Sequence, residues 1–495
     1  MNHAFTELEA HFKTISHFKH LGSICGWDQA AVMPSGGNTA RSEAMAELSL
    51  HIHKLSCADK LGDLFDAVDT SKLETFERAS FREMKRSWNL STVLPADLVQ
   101  AKSLAGSKCE HAWRTQRKHN DWEGFSKNFA EVVSLSRQEA QIRAEDSGLS
   151  AYDAMLDIYE PGVSSAQVET TFNDLMTWLP QLRAEVVEKQ RSQSYLVPSE
   201  RYSTAEQNAL GLEVMKLLEF DFEHGRLDIS SHPFCGGVPQ DVRITTRYDE
   251  DDFVQSLMGI VHETGHARYE QGLPQGLAGL PAGEARSMGI HESQSLFFEM
   301  QLGRSPEFIE LLSPLAIRHF SENNPAIFEP QNLKTIYSRV NPGLIRVDAD
   351  ELSYPAHVVL RFEIERDLIN GVITYQDIPE LWDSKMQSYL GLSTAGNYRD
   401  GCMQDIHWTD GSFGYFPSYT LGAMYAAQFM AAMKRDLDVV ELIKAKDLSP
   451  IFTWLGSKIW SQASLLGTND LVLSATGEAL NPSYFQEHLK QRYLG

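Results

Sequence analysis

The chain has 495 residues, of which 42% are hydrophobic and 22% charged, with a formal net charge of -23. A balance that negative excludes electrostatic attraction to nucleic acid or to an anionic membrane surface. The length exceeds the usual single core, yet no Pro/Gly/Ser-rich linker, low-complexity run or internal repeat divides it, so one domain over 1–495 with two lobes around a groove is expected.

In chain order, the segment Met1 to Glu7 has no basic stretch followed by an apolar core, and no secretory signal is expected. The first 190 or so residues read as successive amphipathic helices, broken by turn signals at Met33-Pro34-Ser35-Gly36-Gly37 and Asp146-Ser147-Gly148. Strand-like texture is limited to about 230–250. There, Asp241 to Tyr248 alternates, with Val242, Ile244, Thr246 and Tyr248 on one face and Arg243, Thr245 and Arg247 on the other, as a strand presenting polar groups to a cleft would.

The next element is a helix. Val254, Met258, His262 and His266 fall on one i+4 row, with Phe253, Leu257 and Val261 beside them, which is the stripe of a half-buried helix. It carries His262-Glu263-Thr264-Gly265-His266. Two imidazoles four residues apart share one helical face and can reach a single metal, while Glu263 projects beside it, close enough to handle a coordinated water. Two buried histidines without a partner are costly to desolvate, and a shared metal satisfies both. A catalytic zinc needs a third protein ligand and an open position. The candidates downstream are Glu270, Glu284, His291, Glu292 and Glu299. Glu270 sits on the same helix and is better placed to orient than to complete the site. Residues 284–300 form a second helical pattern, and spacing alone leaves Glu284 and Glu292 open.

Arg346 precedes Asp348, Asp350 and Glu351, where it can form a buried ion pair or bind a carboxylate with its planar fork. The glycine- and aromatic-rich stretch Gly411 to Tyr419 follows His407 and leads into an apolar helix from about Leu421 to Met433, which is too short to span a bilayer. A last helix covers Tyr484 to Tyr493. The five cysteines, at 25, 57, 109, 235 and 402, show no C-x-x-C pairing, and their odd number argues for a reduced, cytoplasmic protein in which Cys235 and Cys402 are small packing residues.

Six signatures lie in order over the central and C-terminal parts: His232-Pro233-Phe234, Asp241-Val242-Arg243-Ile244-Thr245, His262 to His266, His291-Glu292-Ser293-Gln294, Ile345 to Asp350, and Gly401-Cys402-Met403-Gln404-Asp405-Ile406-His407-Trp408. In these the chain resembles the carboxypeptidase Taq family of zinc metallocarboxypeptidases. Weaker likeness extends from Gly26-Trp27-Asp28-Gln29 through Tyr159-Glu160-Pro161-Gly162 to the C-terminal helices. The resemblance implies a mostly α fold, a large helical peptidase of the gluzincin type with a deep active-site groove and a small β-sheet, similar to the angiotensin-converting-enzyme and neurolysin type. In it, residues 1–190 or so cover one side of the groove and residues from about 191 to 495 hold the metal site. It also implies that His262, His266 and Glu292 bind the metal, zinc or cobalt in its place, that Glu263 is general base and acid, and that the protein is a homodimer.

The expected activity is release of single amino acids from peptide C-termini with broad specificity. His407, Tyr415 and Tyr419 are the candidates for oxyanion and substrate contacts, although tyrosines near a Gly-Pro turn also serve as packing residues. Arg243 and Arg346 are candidates for the substrate carboxylate, with His232 and Gln404 in the neighbouring signatures as further substrate contacts. A strand edge near Arg243 would pair with an extended peptide backbone. An oligoendopeptidase would use the same zinc, base and oxyanion donors. A non-catalytic zinc-bearing peptide-binding scaffold has no need of Glu263.

Overall fold

The computed structural model describes residues 3–495. Among these, nine helices from His3–Ala31 to Thr204–Leu217 precede the first strand. The turn signals mark real boundaries. A single 3-10 turn at Ser35–Gly37 separates His3–Ala31 from Asn38–Ser56. The helix Trp122–Ser147 ends at Gly148, whose φ of 74° is the left-handed conformation that glycine enters without a Cβ clash. Ser150 then caps the helix Ala151–Tyr159 by accepting from the Asp153 N–H.

Three strands follow: β1 (Gly225–Ile229), β2 (Cys235–Val238) and β3 (Asp241–Thr246). The strand texture thus begins upstream of the expected stretch. The order is β1-β3-β2, with β3 parallel to β1 and antiparallel to β2. Because β3 is paired on both sides, the free edges belong to β1 and β2, and the edge near Arg243 is that of β2, whose Gly236 pairs with it. Val242 and Ile244 pack with Met215, Phe220, Ile260 and Ala267, seating the sheet on the helix Phe253–Gly272. On the opposite face Thr245 is buried rather than facing a cleft, with its Oγ1 2.8 Å from Ser230 Oγ and accepting from the Phe234 N–H at 3.1 Å.

The rest is helical. The expected helix over 284–300 begins only at Met288, where Ser287 caps it, and it passes after Leu296 into a π-helical stretch, Phe297–Gly303. The apolar pattern around 421–433 belongs to a longer helix, Pro417–Asp436, that is buried along most of its length. It is apolar because it runs through the core, and among the described residues no helix is long and apolar enough to cross a membrane. The last helix, Ser483–Leu494, is tied down through Glu351, whose buried carboxylate meets His488, Arg492 and the Tyr493 hydroxyl.

A continuous apolar cluster runs from Ala105 in the N-terminal helices to Tyr493. A separate cluster of Phe5, Leu8, Phe12, Leu61, Phe65 and Leu280 lies beneath the first helices. All five cysteines are free thiols, and Cys402 is buried in the main cluster.

Candidate metal centre

Asp252 starts the helix Phe253–Gly272 by accepting from the N–H groups of Val254 and Gln255. Three turns along, His262 and His266 stand on one side with ring centroids 5.0 Å apart. The helix Met288–Leu296 crosses directly over Gly265, where a Cβ would lie 2.6 Å from the Gln294 carbonyl oxygen. That close crossing brings Glu292 to the histidines. One ligand atom from each of His262, His266 and Glu292 lies within 4.8 Å of the other two, and His266 Nε2 is 3.6 Å from Glu292 Oε2. Glu284 caps the short turn Pro281–Gly283 and is outside this set, as are Glu270, His291 and Glu299.

The ligand atoms are held from behind. His262 Nδ1 meets Glu299 Oε2 at 2.9 Å, which leaves Nε2 to face a cation, and Glu299 is gripped in turn by Arg304 Nη2 at 2.6 Å. Seven residues separate Glu299 from Glu292, close to two helical turns, so both carboxylates face the same way. Glu270 meets a different partner: its Oε1 is 2.8 Å from His291 Nε2, and the His291 ring stacks on His266 at 4.4 Å. Spacing alone did not reveal the orienting part of Glu299, although its i+7 relation to Glu292 is a signal that could have done so.

Crowded, buried carboxylates make this corner hungry for positive charge. Burial works against a charged imidazole at His262, but the Glu299 hydrogen bond and the charges of Glu292 and Glu263 outweigh it and hold its pKa up at about 9. Burial pushes the Glu263 carboxyl up to about 7, with neighbouring His262 and Glu292 pulling in opposite directions. Glu292 is likewise raised by burial. Glu263 Oε2 is buried with no hydrogen-bond partner in the protein. Two imidazoles, one carboxylate and an unpartnered carboxylate oxygen beside them are a donor set that fits a divalent cation, with three protein ligands where a tetrahedral site takes four.

A second cluster adjoins the first. Asp405 receives Arg346 through Nε and Nη2 at 2.9 Å, and Arg361 through Nε at 2.7 Å. Arg346 Nη1 donates to the Tyr354 hydroxyl at 2.7 Å, and its guanidinium lies 5.0 Å from the Tyr419 ring centre. The expectation of a buried ion pair for Arg346 is met by a different partner: neither Asp348, Asp350 nor Glu351 but Asp405, far along the chain. His407 Nε2 is 3.2 Å from the Tyr419 hydroxyl, and Tyr415 packs edge-on against Tyr419 at 5.3 Å. Burial, then Arg346, lowers the His407 pKa to about 4, so the ring is neutral at pH 7. Burial raises the phenols of Tyr415 and Tyr419, and Glu292 is close enough to raise both further.

The remaining sequence-based candidates lie elsewhere or are engaged. Arg243 is paired with Asp241 through Nε and Nη2 and stacks 4.5 Å over Trp27 of the first helix. His232 is exposed, and its carbonyl accepts from Ser230 Oγ at 2.7 Å. Gln404 is engaged within the protein: Oε1 accepts from the Arg346 N–H at 2.8 Å and Nε2 donates to the carbonyls of Leu344 and Asp400.

Against known proteins, the profile of the family described as carboxypeptidase Taq (M32) metallopeptidase matches residues 7–493. Thermostable carboxypeptidase 1 of Thermus thermophilus is 33% identical over 503 residues, covering 99% of this chain and 98% of that protein. Among solved structures, metallocarboxypeptidase 1 of Trypanosoma cruzi superposes with a TM-score of 0.98 at 45% identity, covering 100% of both chains. A Pyrococcus furiosus carboxypeptidase superposes with a TM-score of 0.93 at 32% identity, over 100% of this chain and 99% of the other.

Proposed function

This chain belongs to the carboxypeptidase Taq (M32) metallopeptidase family and is a metallocarboxypeptidase, and on that footing we propose that His262, His266 and Glu292 hold its metal, that this metal is zinc with cobalt able to replace it, and that Glu263 is the general base. The observation that carries the reading is the convergence of those three ligand atoms within 4.8 Å, beside a carboxylate oxygen that has no other partner. When bound, the cation supplies Lewis acidity that lowers the pKa of water and polarises a peptide carbonyl. Glu263, whose carboxyl is pushed up by burial, would accept a proton from the attacking water and return it to the departing amine. The Tyr419 hydroxyl, aligned by neutral His407, and the Tyr415 hydroxyl donate to the developing oxyanion.

Arg346 and Arg243 are the candidates for the terminal carboxylate of the substrate, and His232 lies exposed on the segment leading to β2. Of the two arginines, Arg346 stands closer to the chemistry, within reach of Glu292 and Tyr419. Backbone pairing along the β2 edge would favour broad specificity. Residues 1–495 act as one peptidase unit in this reading, with the N-terminal helices covering the groove. Five free thiols support a reduced, cytoplasmic setting. A homodimer rests on family resemblance and is checked by sedimentation.

The deciding experiment compares a free-acid peptide with its C-terminal amide. Loss of cleavage on amidation supports the carboxypeptidase; equal cleavage of both at internal bonds would favour an oligoendopeptidase. Metal analysis of Glu292→Ala against Glu284→Ala tests the third ligand, since only the first is expected to lose the ion.

A further inference from the structure

Glu160 follows the helix Ala151–Tyr159 in the N-terminal half, is fully buried, and has no part in the chemistry above. Its Oε1 accepts from the Gly289 N–H and from Ser418 Oγ at 2.7 Å, and its Oε2 accepts from Ser287 Oγ at 2.6 Å. Gly289 and Ser287 belong to the start of the helix that carries Glu292, and Ser418 to the first turn of the helix that carries Tyr419. A buried carboxylate persists only when such donors surround it, and the start of a helix is a favourable place for its charge. The fit allows no side chain at 289, where a Cβ would sit 2.9 Å from Glu160 Oε1.

The two helices that Glu160 joins meet at the metal ligand itself. A Cβ on Gly422 would lie 2.8 Å from both Cβ and Cγ of Glu292, so the stem of Glu292 rests on the backbone of the helix Pro417–Asp436. Residues next to Glu160 reinforce both sides of the junction: Arg286 donates to the Pro161 carbonyl at 3.1 Å, and the Tyr159 ring meets the Tyr415 ring edge-on at 5.1 Å.

We propose that Glu160 is a positioning residue for the metal centre, a clamp that fixes the two helix starts relative to each other and thereby sets the direction of Glu292 from one and of Tyr419 from the other. The proposal rests on the reading of Glu292 as a metal ligand. Its two arms have separable consequences, because Ser287 and Gly289 act on the ligand side and Ser418 on the tyrosine side.

The test measures zinc affinity by calorimetry, kcat and KM on a free-acid peptide, and Tm, for Glu160→Gln, Ser418→Ala, Gly422→Ala and Glu292→Ala. Glu160→Gln is expected to weaken zinc binding about 10- to 100-fold, the range for groups that orient a ligand, and to lower kcat. Gly422→Ala, which presses on Glu292 directly, weakens zinc binding without touching the clamp. Ser418→Ala keeps zinc affinity and KM but loses about tenfold in kcat, less than the loss of an oxyanion donor itself. A merely structural Glu160 would lower Tm and leave affinity and kcat of the folded protein unchanged; that result overturns the proposal. If Glu160→Gln does not fold, Ser418→Ala decides, and a wild-type kcat for it is equally fatal. Unchanged zinc affinity in Glu292→Ala would instead sink the ligand reading, whereas loss of zinc there with a normal Glu160→Gln sinks the clamp alone.

Discussion

Two neighbouring corners of the molecule are filled with buried charge and treat it in opposite ways. Around Asp405 positive charge is in excess: two guanidiniums face one carboxylate, and Arg346 engages Asp405 and Tyr354 with every nitrogen of its fork. Around His262 carboxylate is in excess: Glu263, Glu292 and Glu299 crowd two imidazoles, Arg304 neutralises only the outermost of the three, and Glu263 Oε2 has no partner at all. Burial would raise the Asp405 carboxyl, but Arg361 and Arg346 overcome that and hold it well below the usual carboxylate range, whereas Glu263 and Glu292 are displaced upward. An excess of guanidinium keeps its one carboxylate ionised, and an excess of buried carboxylate keeps its capacity for a cation and water.

The contrast can be broken most sharply at Glu263. Glu263→Gln is expected to keep the metal and lose roughly 10²- to 10⁴-fold in kcat; near-native turnover would mean that the corner around His262 lacks the base assigned to it. Asp405→Asn should act the other way, leaving two buried guanidiniums without their counter-charge at a cost of about 3–5 kcal/mol, with metal affinity unchanged. Its pH signature follows from the direction of the shift. Because the folded carboxyl lies below its unfolded value, its contribution is complete above about pH 4 and drains away as the pH falls, so the variant should show a flatter loss of stability in acid than the parent protein. Chemical denaturation across the acid range reads this directly.

Glu299→Ala should weaken zinc binding about 10- to 100-fold by freeing His262, and calorimetry that finds no change would remove Glu299 from the centre. The smallest effect is expected at Arg243, already paired with Asp241: Arg243→Ala should raise KM for free-acid peptides about two- to fivefold, an amount of the order of one exposed or half-exposed ion pair. Equal KM values in parent and variant would leave Arg346 as the sole arginine candidate.

How much of this was legible in the chain depended on distance along it. The i+4 spacing of His262 and His266 is a local property of one helix, and the apolar stripe of Val254, Met258 and their neighbours announced that helix. The choice between Glu284 and Glu292 was not local, because it depends on where a second helix begins; Ser287 caps that helix after Glu284, which is left outside. Arg346 shows the same limit from the other side. Three acids lie within five residues of it, yet geometry gives it Asp405, since a short 3-10 turn at Arg346–Asp348 points the arginine inward while Asp350 is occupied in accepting the N–H groups of Leu352 and Ser353. Likewise the alternation at 241–248 named a strand, which ends at Thr246, but could not say that β1 and β2 would cover both its edges. The Glu160 junction lay beyond reach for the same reason, as its donors come from residues more than 120 positions away.

The crossing at Gly265 bears on how the five-residue motif is to be understood. Written as a pattern, its third and fourth places accept any amino acid; in this protein the fourth does not, since even a methyl group there would collide with Gln294 and lever the neighbouring Glu292 off its target. Thr264 is scarcely freer, being fully buried with its hydroxyl turned back on the Ile260 carbonyl. Redesign of this motif therefore has less freedom than its notation advertises, because the spacer residues are themselves the seat on which Glu292 is brought to the two histidines.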